Sequence, residues 1–411
     1  MSDSLDYKNL IELKPAIEKS LMESTVNNNN SLDIEILSGL NEIESCLKPN
    51  NRIRLENMIS DNPVRDFIFP EIYYQLRAEL PYIENKENVP LTSIEIFSDT
   101  NSLADELITK INKPTAKYKV FFNLGDVGRY LSPFVNKGIA ISDNIDIICL
   151  TDEQINNEYK APHSKSNNKY FEKDFQLQPN VAYLQICYDG YLSYFGGPTK
   201  QKLYDLFKEI LVILNSYCIV SVSARQNNDN NQFIAFKEKS KDNYIFHDYF
   251  YIESISHTPI PRIEIHSVFK GWDKNYQDDY LHSVCKLFPV YFNLKDKVKC
   301  AARWLMNSYL IENQLLQYIL AITAIETLLG DQNTGGVGIK NLIANRLAYA
   351  IGTSDFERSE IISSFVDIYK TRCKIVHDGC EKLTEDEIKN LDRLRYYIHC
   401  YIQYEIKLHI L

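Results

Sequence analysis

Several features that would place a sequence in a familiar class are missing from this one. Its nine cysteines lie far apart and form no Cys-x2-Cys pair, so neither a zinc ribbon nor a disulfide framework is indicated. No stretch approaches the roughly 20 consecutive apolar residues that cross a bilayer. The acidic, polar start also lacks the basic and then apolar pattern of a secretory signal. These absences predict a reduced, soluble, cytoplasmic protein with no membrane anchor.

A basic excess is also missing. The chain has 45 lysines and arginines against 55 acids, a net charge of −10, which argues against a general binder of duplex DNA. From Tyr291 onward 15 basic residues balance 15 acids, so the whole negative excess lies in the first 290 residues. An anionic ligand is therefore expected to bind the C-terminal part.

The composition that is present is typical of a globular protein. The 411 residues are 45% hydrophobic and 24% charged, enough to form two or three domains with buried cores. The pattern predicts an α+β fold, with a mixed N-terminal α/β region followed by an all-α helical bundle. Three parts are expected: a mostly helical region at 1–112, an α+β sensor or binding domain at 113–290, and a helical domain at 291–411.

The first two regions differ in hydrophobic period. In the first, apolar residues at a spacing of three or four predict helices over 32–47 and 67–80, and the asparagine run at 27–30 predicts a loop. From about residue 117 the pattern changes to short β-type runs, with one amphipathic helix at 200–215 between the third and fourth. The predicted strands are 118–123, 145–150, 181–188, 217–224, 232–236 and 262–269.

After Trp272 the sequence indicates consecutive helices. Gly330 and the Asp378-Gly379 pair act as helix stops, and Thr384 with Glu387 forms the signature of a capping box. The predicted helices are 272–287, 294–309, 311–329, 337–351, 356–377 and 385–410.

One segment brings together residues suited to phosphodiester chemistry. Arg372, Lys374 and His377 fall at the end of the predicted helix 356–377. A guanidinium is always cationic and can bind two phosphate oxygens, while an imidazole can exchange a proton near neutral pH. The negative end of the helix dipole and the neighbouring Asp378 both favour a protonated His377, which suits a general acid.

Helix geometry limits this pair. Five residues at about 100° each leave Arg372 and His377 roughly 140° apart, so they share a face only if the helix ends or unwinds before His377. Otherwise the long arginine must bridge the gap, or a second copy of the bundle must supply the other half. A homodimer is therefore expected.

The spacing alone is weak support, because 13 arginines and 8 histidines produce such pairs by chance. Arg393 and His399 have a comparable spacing. His399 lies in mid-helix among tyrosine, isoleucine and cysteine, which predicts a packed, hydrogen-bonded histidine rather than a catalytic one. Gly335 to Lys340 lacks the spacing of a phosphate-binding loop and is interpreted as a helix connection.

The order of elements around Arg372 is more specific. A helix with Glu326-Thr-Leu-Leu-Gly330 precedes a glycine-rich loop, another helix, and then Tyr369-x2-Arg372-x4-His377-Asp-Gly. This order resembles the HEPN superfamily. The Glu-x-Leu-Leu and Ile-Val-His sequences within it are most similar to the ApeA-like branch. The resemblance covers about residues 294–411. One departure is Cys373, since many active members have a polar residue directly after the arginine.

The resemblance implies a dimeric, HEPN-like helical bundle that acts as a metal-independent endoribonuclease, as in bacterial toxin, antiviral defence and abortive-infection systems. Arg372 and His377 would be catalytic and RNA, for example tRNA, the substrate, with no cofactor and no metal. The ribose 2′-OH would attack the phosphate and leave a 2′,3′-cyclic phosphate. An unknown ligand or protein would activate the enzyme through its N-terminal region.

Supporting roles are left open at this point. Glu326 either orients Arg372 or His377 or forms a purely structural salt bridge. Tyr369 either touches substrate or packs, and packing is favoured. The alternatives for the whole protein are a catalytically silent HEPN dimerisation or binding module, in which Arg372 and His377 only cap a helix or bridge a dimer, and a nucleotide-binding enzyme with its site in the middle region.

Overall fold

The computed structural model describes most of the chain and divides it into two compact units. The first consists of Met1–Tyr118 with Tyr188–Lys202, and the second of Lys119–Cys187 with Leu203–Leu411. The predicted boundaries at 112 and 290 stay predictions. The described residues are 7–28, 32–35, 43, 45–78, 88–112, 116–135, 138–160, 177–192, 198–224, 232–240, 243–251, 261–330, 338–379 and 381–410.

The first unit combines helices with a small antiparallel sheet of order β2-β1-β3. Its fifth helix shows how the core forms: Leu103, Leu107 and Ile111 recur at helical spacing and are at most 5% exposed. The helices are α1 (Tyr7–Glu12), α2 (Lys14–Glu23), α3 (Pro49–Met58), α4 (Pro63–Ala78) and α5 (Thr100–Asn112), and the strands are β1 (Thr25–Asn28), β2 (Leu32–Glu35) and β3 (Val89–Pro90).

Two predictions for this unit were wrong. Residues 32–35 of the predicted helix 32–47 form β2, although its residues 43, 45 and 46 are helical, and Asn27 and Asn28 of the predicted loop belong to β1. Val26 lies opposite Ile34 in this hairpin, so strand pairing overrides the local helical spacing. Residues 29–31, 36–42 and 44 lie outside the described ones. The predicted helix 67–80 is confirmed up to Ala78.

The second unit contains most of a seven-stranded sheet of order β5-β6-β8-β4-β10-β11-β7, and a two-stranded sheet of β9 and β12. One long helix, α8 (Pro198–Ser216), packs on the larger sheet, where the rings of Phe207 and Phe122 stack with centroids 4.6 Å apart. The strands are β4 (Ala116–Asn123), β5 (Ile139–Ser142), β6 (Ile145–Cys149), β7 (Tyr159–Lys160), β8 (Ala182–Gly190), β9 (Val220–Ala224), β10 (Gln232–Ser240), β11 (Asn243–Tyr251) and β12 (Pro261–Ile265), and two short helices, α6 (Asp126–Leu131) and α7 (Asp152–Glu158), lie between them in sequence.

All six predicted strands appear, and two of them are shorter than expected. The strand predicted at 217–224 begins at Val220, after a turn in which Cys218 takes a φ of 56°. The strand predicted at 262–269 ends at Ile265, because the His266 side chain accepts from the backbone N–H of Val268 and caps a short helix. The strands β5, β7 and β11 were not predicted. An α+β fold is confirmed.

The C-terminal part is all helical, as predicted. A short helix with Pro289 in its first turn follows the helix predicted at 272–287. Gly330 ends the helix predicted at 311–329, as expected. The helices are α9 (Ser267–Lys270), α10 (Lys274–Cys285), α11 (Phe288–Phe292), α12 (Asp296–Leu310), α13 (Gln314–Leu329), α14 (Ile339–Ile351), α15 (Asp355–His377) and α16 (Glu385–Leu408). Residues 331–337 of the predicted glycine-rich loop lie outside the described residues. No described helix is both long and apolar enough to cross a membrane.

Helix α13 is the centre of this bundle and contacts α12, α14, α15 and α16. Its sequence is apolar on nearly all sides, which suits a helix surrounded by others. Helix α15 buries Ile361, Phe365 and Ile368 at helical spacing. That buried stripe determines how α15 is rotated, and therefore where the side chains at its C-terminal end point.

The capping box of α16 provides a test of local stability. The Thr384 hydroxyl accepts from the Glu387 N–H at 3.3 Å, and the Glu387 carboxylate accepts from the Thr384 N–H at 2.7 Å. Losing such a cap costs about 1 kcal/mol. The first-turn amide hydrogens of α16 should therefore exchange about fivefold faster in Thr384→Ala than in the wild type. Hydrogen exchange followed by mass spectrometry measures this. Ser363→Ala, an exposed serine inside α15, is the control, and equal rates in both variants would contradict the prediction.

Candidate functional site

Arg372 and His377 lie on one uninterrupted helix. Helix α15 continues through His377, and the N–H of its C-cap, Asp378, donates to the Lys374 carbonyl at 3.1 Å. The helix therefore does not end before His377, and the two residues stand roughly 140° apart around it. Arg372 is half-buried and His377 is exposed. Within the described residues no hydrogen bond joins their side chains, so one chain does not bring them together.

The Arg372 guanidinium rests on an aromatic ring. Its central carbon lies 5.5 Å from the centroid of the Tyr369 ring, one helical turn earlier. No carboxylate of the described residues forms an ion pair with Arg372. The ring supports the cation without neutralising it, which leaves the guanidinium N–H groups available to an anion.

Tyr369 connects Arg372 to Glu326. The Tyr369 hydroxyl donates to Oε1 of Glu326 at 3.2 Å, across from α15 to α13. Burial raises the pKa of Tyr369 and the Glu326 carboxylate raises it further, so the hydroxyl stays protonated and remains a donor. Of the two interpretations left open for Glu326, the described contacts show neither a direct bond to Arg372 nor a salt bridge. Among the described residues, Glu326 is connected to Arg372 only through Tyr369, whose hydroxyl bonds the carboxylate and whose ring lies against the guanidinium.

Lys374 has a different partner. Its Nζ donates to Oε1 of Glu387 at 2.9 Å and joins the end of α15 to the start of α16. Burial by itself raises the pKa of Glu387, but hydrogen bonds from Thr384 and Lys374 outweigh burial and lower the pKa. Lys374 stands roughly 160° from Arg372 around the helix, so it is not part of the Arg372 cluster.

Asp378 and His377 are both exposed at the helix terminus. Asp378 is the C-cap, and Gly379 follows with a φ of 68°, the left-handed conformation that glycine adopts without strain. No described hydrogen bond joins the Asp378 carboxylate to the His377 ring. The supporting role predicted for Asp378 stays a prediction.

His399 of the second arginine–histidine pair is packed and hydrogen-bonded, as predicted. Nδ1 of His399 lies 2.6 Å from the Ser216 hydroxyl and Nε2 lies 3.0 Å from the Tyr309 hydroxyl. Burial, together with the charge of Arg395, lowers the pKa of His399 to about 3. A histidine held neutral with both nitrogens bonded cannot exchange protons with a substrate near neutral pH.

One residue of the α13–α15 contact was not predicted. Tyr318 is fully buried on α13, and its hydroxyl donates to the Ile368 carbonyl at 2.9 Å. In the sequence it falls on the apolar stripe of a helix, which predicts packing but gives no sign of a polar partner. The described residues contain no group of three or more histidine, cysteine or acidic side chains that could hold a metal ion.

Comparisons with protein-family models, with curated proteins and with solved structures find no match for this chain. The resemblance to the HEPN superfamily therefore stays a prediction that rests on the residues named above.

The shifted His399 predicts a dependence of stability on pH. Its pKa is about 3 in the folded chain, against about 6.5 when unfolded, so between these values the unfolded chain binds more protons. The free energy of unfolding should then fall as the pH drops below 6.5, by up to about 1.4 kcal/mol per pH unit.

Urea unfolding followed by tryptophan fluorescence reports on the second unit, because both tryptophans lie in it. His399→Gln should flatten the pH dependence between about pH 6.5 and 4. The exposed His409→Gln should leave it unchanged. Equal pH dependence in His399→Gln and the wild type would show that His399 titrates normally.

Proposed function

We propose that this chain is a HEPN-type, metal-independent endoribonuclease that works as a homodimer, with catalytic Arg372 and His377. The observation that carries the proposal is the state of Arg372: its guanidinium rests on Tyr369, has no carboxylate partner among the described residues, and lies on the same helix as an exposed histidine. An arginine held in this way is ready to bind a phosphate. The order of motifs from Glu326 to Asp378 supports the same function.

The proposed chemistry uses the ribose 2′-OH as nucleophile. His377 exchanges protons with the 2′ oxygen or the leaving 5′ oxygen, and Arg372 stabilises the charge that builds on the phosphate oxygens. The products are a 2′,3′-cyclic phosphate and a 5′ hydroxyl. Tyr369 and Glu326 hold the arginine, and Lys374 and Asp378 belong to the helix end that carries the histidine.

The angle between the two catalytic residues favours a site shared by two chains. Because α15 is continuous, Arg372 and His377 of one chain point to different sides of it. Arg372 of one chain and His377 of another can meet across a two-fold axis. Val376, beside His377, is apolar and 50% exposed, which fits a helix end that lies at an interface.

Regulation is assigned to the rest of the chain. The first 290 residues carry the whole net charge of −10, and the remainder is neutral. A negative region would weaken RNA binding by the bundle, so the protein alone is expected to cleave slowly, and an activating ligand or protein raises the rate. A ribonuclease that cleaves cellular RNA is toxic unless it is controlled, and defence and toxin systems supply such control. We therefore assign this activity to a bacterial defence or toxin system in the cytoplasm.

The second candidate is a catalytically silent binding module. It is favoured by the 140° separation and by Cys373, which stands where many active members have a polar residue. Both candidates use the same bundle as a dimer, and they differ in whether RNA is cleaved.

The enzyme proposal predicts that purified protein cleaves total tRNA in the presence of EDTA and leaves cyclic-phosphate ends. Arg372→Ala and His377→Ala should each lower the rate by at least about 100-fold, because each removes transition-state stabilisation or proton transfer. The matched controls are Arg393→Ala and His409→Ala, which change exposed residues of the same bundle. Cleavage by Arg372→Ala at the wild-type rate would reject the assigned site, and no cleavage by the wild type would favour the silent module.

A shared site predicts complementation between two inactive variants. In a mixture of Arg372→Ala and His377→Ala, half of the randomly formed dimers are mixed, and each mixed dimer keeps one intact site out of two. Activity should return to about one quarter of the wild-type value after subunit exchange. Measuring tRNA cleavage before and after mixing tests this. If the mixture stays inactive while exchange is shown to occur, each site lies within one chain.

A further inference from the structure

Tyr318 contacts the helical turn that carries Arg372. The side chain is fully buried on α13, and its hydroxyl donates to the Ile368 carbonyl at 2.9 Å. In an α-helix this carbonyl also accepts from the backbone N–H four residues later, which belongs to Arg372. The tyrosine is thus bonded to the same carbonyl that holds the backbone of Arg372.

The hydroxyl of Tyr318 has a second neighbour on that turn. Thr371 is 5% exposed and precedes Arg372. Burial raises the pKa of Tyr318 well above its usual value, while a hydrogen bond with the Thr371 side chain opposes that rise. The hydroxyl is therefore protonated at neutral pH and remains a donor to the carbonyl of residue 368.

A second hydrogen bond joins the same two helices, this time with the donor on α15 and the acceptor on α13. Tyr369 of α15 donates to Glu326 of α13 at 3.2 Å. Tyr318 and Glu326 are eight residues apart, about 12 Å along α13, yet their partners, Ile368 and Tyr369, are adjacent on α15. Because the two bonds start from separate points on α13, together they resist both rotation of α15 and its sliding along α13. One bond alone would not do this.

We infer that Tyr318 is a positioning residue for Arg372: its buried hydroxyl fixes the rotation of the α15 turn from which the guanidinium extends. The inference deepens the proposed function and rests on it. A buried tyrosine hydroxyl needs some hydrogen-bond partner in any fold, so a purely structural role predicts only a loss of stability. A positioning role also predicts a change at Arg372 itself.

The test compares Tyr318→Phe with Tyr291→Phe. Tyr291 is also fully buried and loses a hydroxyl bond, but that bond goes to Glu209 of α8, at 3.3 Å, and not to α15. The first measurement is tRNA cleavage. Tyr318→Phe should lower kcat about tenfold with KM within about twofold of the wild type, because misplacing a catalytic group affects the transition state more than binding. Tyr291→Phe should leave both values unchanged.

The second measurement does not depend on activity. Phenylglyoxal modifies accessible arginines, and peptide mass spectrometry gives the rate at each position. Tyr318→Phe should label Arg372 several-fold faster than the wild type, with Arg393 unchanged, and Tyr291→Phe should not. Wild-type labelling of Arg372 in Tyr318→Phe would overturn the inference.

The two measurements separate the two proposals. If the wild type cleaves no RNA, the proposed function fails, and Arg372 labelling alone decides whether Tyr318 holds that residue. If Tyr318→Phe does not fold, Tyr318→Met removes the same hydroxyl with a side chain that adapts to the space left in the core. Faster labelling of Arg372 in Tyr318→Met supports the inference, and wild-type labelling overturns it.

Discussion

The packing of α15 against α14, α16 and α13 is the constraint on which the C-terminal part of this protein depends. Ile361, Phe365 and Ile368 face the bundle and are nearly inaccessible to water. Moving this stripe would expose apolar area and leave buried hydroxyls without partners, both of which cost free energy. The rotation of α15 is therefore fixed, and the directions of Arg372 and His377 follow from it.

The continuity of α15 separates the two residues that the sequence places close together. Arg372 lies on the flank of the helix where Tyr369 and Glu326 support it, and His377 lies on the exposed side of the last turn. Among the described residues the guanidinium has no carboxylate partner, so it remains available to an anion. The separation of Arg372 and His377 within a chain makes a second chain part of the proposed active site rather than an accessory to it.

The second unit also has a polar contact between α8 and the helical bundle. Glu209 of α8 forms an ion pair with Arg303, and Ser216 at the end of α8 bonds His399. Burial raises the pKa of Glu209 and the bond to Arg303 opposes that rise, while His399 stays neutral. Such buried polar networks hold packed elements in one arrangement. Any control of the bundle through α8 would have to act on these contacts.

The sequence by itself determined the features that depend on neighbours along the chain. Helix ends at Gly330 and Asp378, the capping box at Thr384 and the helical course of residues after Trp272 were all predicted, because caps, stops and hydrophobic period act within a few residues. The packed state of His399 was predicted for the same reason, from the apolar residues around it.

Only the tertiary structure decided what depends on partners far away in sequence. The start of a predicted helix, residues 32–35, is the strand β2 instead, because strand pairing outweighs local spacing. The bond from Tyr318 to Ile368 joins residues 50 positions apart, and a buried tyrosine looks the same in the sequence whatever its partner. The sequence fixes the angle between Arg372 and His377 once α15 is continuous, but which of them faces α13 depends on side-chain packing between helices, and that is not a local property.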